Sequence, residues 1–173
     1  MNTRLFSFIT AALLGLTVLG ISTLGANAAL AAPTDPVQVE ADRLDLDQRA
    51  GTAVYRGNVD MRQGQMQLRG ARVEVTRNAS GELSRATAFG ERAYLRHQPE
   101  GQKEPIEGEA RQIIYHVAER RVELIDQAEL NQGGDHFSGG RLEYFIDKEV
   151  VQARSDVKGS DTQRIHMTLQ PEQ

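Results

Sequence analysis

From residue 37 onward, apolar and polar residues take turns along most of the chain. Val37-x-Val39-x-Ala41, Val59-x-Met61, Met66-x-Leu68 and Ala71-x-Val73-x-Val75 alternate, and so do Val122-x-Leu124, Ala128-x-Leu130, Leu142-x-Tyr144-x-Ile146 and Ile165-x-Met167-x-Leu169. A period of two marks antiparallel strands with one apolar face and one polar face. Turn residues punctuate the pattern at Arg49-Ala50-Gly51, Gln63-Gly64, Asn78-Ala79-Ser80-Gly81, Pro99-Glu100-Gly101, Gln132-Gly133-Gly134 and Asp147-Lys148. Past the N-terminal segment, no stretch of ten residues keeps the i, i+3, i+4 stripe of a helix. Leu44 and Leu46 fall on the opposite parity from Val37, Val39 and Ala41, which predicts a bulge or corner near Asp42-Arg43.

The fold class is therefore all-β. At the short end of the usual spacing of turn signals, the chain after its leader holds about sixteen strands. A folded-over pair of antiparallel sheets, a jelly roll, buries one face of each strand more simply than a closed barrel of that size. The inward set is Val, Leu, Ile, Met, Ala, Tyr and Phe, with no tryptophan. That is modest for so much sheet, and the expectation is an elongated groove lined by aliphatic side chains. Residues 40–75 and 109–144 also carry one pattern twice at an offset of 69. Glu40-Ala41 returns as Glu109-Ala110, Gln63-Gly64 as Gln132-Gly133, and Gly70-x-Arg72-x-Glu74 as Gly139-x-Arg141-x-Glu143. Glycines at equal offsets predict one supersecondary unit used twice.

The N-terminus changes the setting. Arg4 precedes an uncharged run from Leu5 to Ile21, and Ala29-Leu30-Ala31 precedes Ala32-Pro33. These are the three regions of a secretory signal peptide, predicting a cleaved leader of residues 1–31 and a single domain of residues 32–173. Ala26-Asn27-Ala28 offers a second cleavage site, and a retained membrane anchor is the competing reading of the same run. The chain has no cysteine, so thiol chemistry and cysteine metal sites are excluded. A formal net charge of −4 without a basic cluster argues against nucleic acid as a partner.

Candidate chemistry is thin. His97, His116, His136 and His166 stand apart, with no metal-ligand spacing among them. Glu40, Asp42, Asp45 and Asp47 lack the order of a calcium loop and suit an outward polar face. There is no nucleophile elbow and no phosphate-binding glycine loop. The reading is a protein that is not an enzyme, with no cofactor and no metal. What remains is surface. Gln163 to Gln170 is an uninterrupted alternating strand, and Ile165, Met167 and Leu169 make it a candidate assembly edge. Two unlike open edges give head-to-tail contacts that do not close into a ring. Pairing of this strand within its own sheet is the alternative.

The order of motifs resembles a known family. Pro36 to Asp47 looks like its opening strand, and Ala53-Val-Tyr-Arg-Gly-Asn-Val-Asp-Met-Arg-Gln-Gly64 like its "V-x-x-G-N-V-x-V-x-Q-G" hairpin. Gly108 to Tyr115 and Gly139-Gly-Arg-Leu-Glu-Tyr144 resemble strands of its second half. From about Pro36 to Leu169 the chain is similar to the OstA-like family of periplasmic lipopolysaccharide-transport proteins. It departs at Ile125-Asp126-Gln127-Ala128, where the family's second copy usually has Thr-Gly-Asn-Ala.

The resemblance implies a twisted, V-shaped β-jelly roll in the periplasm whose interior shields the acyl chains of lipopolysaccharide. It also implies head-to-tail stacking with related domains of an inner-membrane partner, LptC, and an outer-membrane partner, LptD. By position in the family's motifs, Val37, Val39, Leu95, Tyr115 and Val117 fall on the lipid-facing wall. Leu44, Leu46, Val59, Met61, Met66, Leu68, Val73, Leu124, Leu130, Phe137, Leu142 and Tyr144 are further inward candidates. An LptC-like anchored member of the same pathway is the nearest alternative. An exported carbohydrate-binding jelly roll is another, though a chain without tryptophan is poorly supplied for stacking on sugars.

Overall fold

The computed structural model describes residues 35–99, 101, 104–155 and 164–170; the leader segment and its predicted cleavage sites lie outside them. The described residues form ten strands: β1 (Val37–Glu40), β2 (Arg43–Asp47), β3 (Thr52–Gln63), β4 (Met66–Arg77), β5 (Leu83–His97), β6 (Ile106–His116), β7 (Arg121–Gln132), β8 (Asp135–Phe145), β9 (Val150–Arg154) and β10 (His166–Thr168). One 3-10 turn, Ile146–Lys148, follows β8. No helix among them is long and apolar enough to cross a membrane.

All ten strands belong to one antiparallel sheet in the order β1-β3-β4-β5-β6-β7-β8-β10, with β2 also paired to β3 and β9 to β8. Every pairing between β3 and β8 joins sequence neighbours, so the central path is a meander with no Greek-key crossing. The expected pair of sheets and about sixteen strands are therefore corrected to one sheet of ten strands. Six of the ten run 11–15 residues, longer than the turn spacing suggests.

The reason is a crease. Ladder register breaks between Thr76 and Arg77 near the end of the β4–β5 pair and, at one common level in every successive pair, between Arg56 and Val59, Arg69 and Arg72, Phe89 and Ala93, Glu109 and Gln112, and Ile125 and Ala128. These bulges line up across the sheet. The corner expected near Asp42-Arg43 lies on the same line: β1 pairs with one half of β3 and β2 with the other. There the Asp42 N–H donates to both the Arg56 and Gly57 carbonyls, each at 3.1 Å.

The crease divides the sheet into two arms. The first holds β1, β10 and the halves of β3–β8 nearest Gln63, Met66, His97, Ile106, Gln132 and Asp135. The second holds β2, β9 and the other halves. The arms fold so that the apolar face meets itself. Gly108 pairs with Leu130, yet a Cβ at Gly108 would sit 2.6 Å from Leu124 Cδ2, six residues farther along β7. A straight strand would separate those levels by about 20 Å. His97 and Tyr144, on strands three places apart, bring their ring centroids within 6.4 Å.

Bulges also explain the parity of the pattern. In β4 the inward residues are Met66 and Leu68 before the crease but Val73 and Val75 after it; in β5 they are Ala86 and Ala88, then Ala93 and Leu95. One extra residue per bulge returns the apolar set to the inner face. β3 and β7 cross differently, each on two consecutive left-handed residues. Gly57 and Asn58 have φ of 79° and 44°; Asp126 and Gln127, 69 positions on, have 65° and 52°. The segment that departs from the family's motif thus takes the same bend without its glycine.

The core lies between the arms. Leu68, Leu95, Ile106 and Leu130 of the first arm pack with Val73, Ile113, Val122, Leu124, Leu142 and Tyr144 of the second, all at 2% exposure or less. Each such side chain contributes roughly 1.5–3 kcal/mol relative to an exposed one.

The outer face of the second arm is held by charge. Glu123, 8% exposed at its side chain, accepts hydrogen bonds from Arg121 and, at 2.5 Å, from Arg141, and His116 Nε2 lies 3.0 Å away. Burial alone raises the Glu123 pKa, but the Arg121 hydrogen bond and the Arg141, Arg121 and His116 charges outweigh it, holding the carboxyl below its usual value. Its contribution is thus complete above the ordinary value of 4.5 and is lost as pH falls through the lowered one. Glu123→Gln is expected to cost about 1.5–3 kcal/mol at neutral pH and to flatten the acid limb of stability. Urea denaturation at neutral pH and at about pH 3.5 measures both effects.

Candidate functional site: the trough between the arms

Cross-strand partners share a face, which places the candidate residues. Val37 pairs with Gln63 and Val39 with Met61, so both belong to the inner face of the first arm at its β1 edge. Leu95 pairs with Leu68 and Gly108 in the middle of that arm. Tyr115 pairs with Ala86 and Val122 in the second arm, and Val117 follows with its N–H donating to the Ser84 carbonyl at 3.1 Å. Leu95, Tyr115 and Val117 join one buried cluster with Val39 packed against it, whereas Val37 remains 39% exposed. The structure brings four of the five together.

The middle of the trough is filled. Its side chains touch across the arms, so an open groove along the whole length, as expected from composition, is not present. The exposed apolar side chains sit at the ends. Val37, Leu44 and Leu46 lie at the β1/β2 end, and Ile165, Met167 and Leu169 at the β10 end, each 39–58% exposed. Leu44 and Leu46 pair with Tyr55 and Ala53, and Met167 with Phe137. The trough therefore continues onto solvent at both margins of the sheet. β10 pairs with β8 through three residues, the within-sheet alternative, and the Gln170 N–H donates to Asp135 Oδ1 at 2.9 Å. Among the described residues, the outer sides of β1 and β10 are unpaired.

Opposite the crease, the tips of the arms meet at the mouth of the V. From sequence, Tyr115 and Tyr144 are inward candidates here, but Gln63 and His97 are not. Gln63 and His97 occupy inward positions at the first tip, and Tyr115 and Tyr144 at the second, where Arg120 and Asp147 form an ion pair. Burial, reinforced by the nearby Arg120 charge, pushes the His97 pKa down. Burial pushes both tyrosines up, Tyr144 to about 12. The one available signal was the presence of polar residues at inward parity.

The remaining charged candidates serve the scaffold. Asp45 pairs with Arg56, and Asp47 Oδ1 accepts the N–H groups of Arg49 and Ala50 at 2.9 Å, which holds the β2–β3 turn. His136 Nδ1 lies 2.7 Å from Asn131 Oδ1. No group of three or more His, Asp or Glu among the described residues could hold a metal ion.

Comparison with known proteins adds a lineage to this geometry. A family model described as LptA/(LptD N-terminal domain) LPS transport protein matches residues 38–150. The chain is 35% identical over 156 residues to the lipopolysaccharide export system protein LptH of Pseudomonas aeruginosa, covering 87% of this chain and 89% of that protein. It is 32% identical over 140 residues to the lipopolysaccharide export system protein LptA of Escherichia coli K12, covering 80% and 72%. The crystal structure of P. aeruginosa LptH, described as the LptA homologous periplasmic component of the conserved lipopolysaccharide transport device, matches with a TM-score of 0.75. The identity there is 33%, over 81% of this chain and 99% of that one.

The filled centre and the open ends differ in what a truncation does. Leu95→Ala leaves a cavity in a closed site and is expected to lower stability by about 2–5 kcal/mol. Val37→Ala, half in water already, is expected to change it by less than about 0.5 kcal/mol. Chemical denaturation of the two variants checks the contrast.

Proposed function

The chain belongs to the LptA/LptD N-terminal domain family of lipopolysaccharide transport proteins, and on that premise we propose that it carries lipopolysaccharide by shielding its acyl chains between the two arms. The observation that carries this reading is the creased sheet, whose apolar face is buried against itself in the middle and open at both ends. Acyl chains cost roughly 0.8 kcal/mol per methylene in water, so several of them need a continuous apolar cover to cross an aqueous space. Cargo enters such a site by parting the arms. Contacts between Leu95, Tyr115, Val117 and the opposite wall are then exchanged for contacts with hydrocarbon, apolar for apolar.

In this reading the creased meander is the family's V-shaped jelly roll, and Val37, Val39, Leu95, Tyr115 and Val117 touch lipid. Residues 1–31 direct export to the periplasm and are removed. The two margins stack head to tail: Ile165, Met167 and Leu169 of one domain cover Val37, Leu44 and Leu46 of the next. Partners with domains of the same kind, LptC-like at the inner membrane and LptD-like at the outer, extend the trough into a bridge for outer-membrane assembly. No step needs a catalytic residue.

Photo-crosslinking residues placed in cells at Val39, Leu95 and Tyr115 are expected to capture lipopolysaccharide, and one at outward-facing Arg85 is not. Adducts confined to Arg85, or none at the inward positions, would rule the lipid-facing wall out. Stacking has a separate test. Light scattering across a concentration series is expected to show mass rising for the wild type and a monomer for the Ile165→Glu/Met167→Glu double variant; equal behaviour of the two removes the C-terminal margin from assembly.

A further inference from the structure

The mouth of the V holds polar atoms whose hydrogen bonds are unmade. Tyr144 is fully buried and His97 is 9% exposed, and their rings face each other at 6.4 Å with a 48° tilt. Among the described residues, neither the Tyr144 hydroxyl nor His97 Nδ1 has a hydrogen-bond partner, in each other or elsewhere. Gln63 Oε1 on the same tip is in the same condition. Buried polar atoms are paired in the great majority of cases. Two of them close together on separate arms form a candidate site once the arms part.

Their chemistry can be read. His97 Nδ1 is buried without a hydrogen-bond partner. In the neutral tautomer that carries its proton on Nε2, Nδ1 is an acceptor. Burial favours that neutral form and keeps the Tyr144 O–H protonated as a donor. The pair thus offers one acceptor and one donor beside an apolar cluster that includes Tyr115, Val117 and Ile146. The complement is a small group with one donor and one acceptor on the end of a hydrocarbon chain, such as a secondary amide or a hydroxyl.

We propose that His97 and Tyr144 bind the amide or hydroxyl group at the root of an acyl chain, fixing how deep an acylated sugar sits in the trough. This rests on the acyl-chain reading above and adds to it a polar depth stop. Once the arms part, the root group bridges the two rings, with Tyr144 donating to its oxygen and His97 Nδ1 accepting its N–H or O–H.

Tyr144→Phe keeps the ring and removes only the hydroxyl. Titrated with purified lipid A, it is expected to bind about five- to tenfold more weakly than the wild type, the scale of one hydrogen bond. Its affinity for diphenylhexatriene, a hydrocarbon with no polar group, should match the wild type, and its thermal midpoint should be equal or higher because an unpaired buried hydroxyl is gone. His97→Gln should weaken lipid A in the same selective way. Equal lipid A affinity in Tyr144→Phe and wild type overturns the depth stop while leaving the trough intact. A lower thermal midpoint for Tyr144→Phe also overturns it, since the hydroxyl then serves the scaffold. A wild type that binds neither probe overturns the trough reading and the depth stop together.

Discussion

A sheet with one apolar face has to cover it, and this chain covers it with the same face of the same sheet. The whole architecture follows from that constraint. Turning a single sheet back on itself requires every long strand to bend at the same level, and a bent strand cannot keep its ladder in register. Each strand pair from β3 to β8 accordingly loses its register at the crease, at adjoining positions. Close packing at the fold line sets the residues allowed there. A Cβ at Gly70 would lie 2.8 Å from the Phe89 carbonyl oxygen, which is backbone and cannot swing aside. Gly57, at a φ of 79°, bends β3 where other residues would be strained. Broken ladder bonds along the crease are tolerable because its outer side faces water, where backbone groups find partners.

A self-covering sheet is closed where it has two arms and open where it runs out of strands. Among the described residues the large exposed apolar side chains, Val37, Leu44, Leu46, Val150, Ile165, Met167 and Leu169, all lie on or beside the outermost strands β1, β2, β9 and β10. Among the described residues no strand covers them, because a meander has two ends however it is creased. Short edge strands, of three to five residues, limit indiscriminate pairing. The β10 margin carries its apolar residues 46–58% exposed, and a matching margin covers such a surface best. In the proposed stacking, length along a transport path is a matter of adding domains.

The sequence made the strands legible because alternation and turn glycines report local geometry. Gly64 and Gly133 do sit in left-handed hairpin turns, at φ of 53° and 56°. The crease was harder to see. In β4 and β5 a bulge flips the parity of the apolar set without any turn residue to announce it, so one creased strand reads as two short ones. The expectation of about sixteen took the short end of the usual turn spacing, and the creased strands run longer than that. The corner at Asp42-Arg43 was visible because two strands stop there. The resemblance to the family put Leu95 and Tyr115 on an inward wall, but neither motif position nor parity can distinguish a side chain lining an open groove from one at 0–3% exposure in a filled one. The mouth escaped notice for another reason. His97 and Tyr144 are 47 positions apart, and only the folding of one arm onto the other makes them neighbours.

A filled trough suits a carrier better than an empty one. An open aliphatic channel in water would either collapse or recruit any apolar solute, and the cost of keeping it open would be charged to every copy without cargo. A trough that closes on itself avoids that cost. In the proposed function its closing contacts are the ones that cargo replaces, and the difference between the two states is small because both are apolar and dry. A small difference means that cargo is held without a deep well and can be passed on. It also means that the domain cannot drive transport by itself. In the proposed function this chain provides a path and a depth, and direction comes from a source outside it.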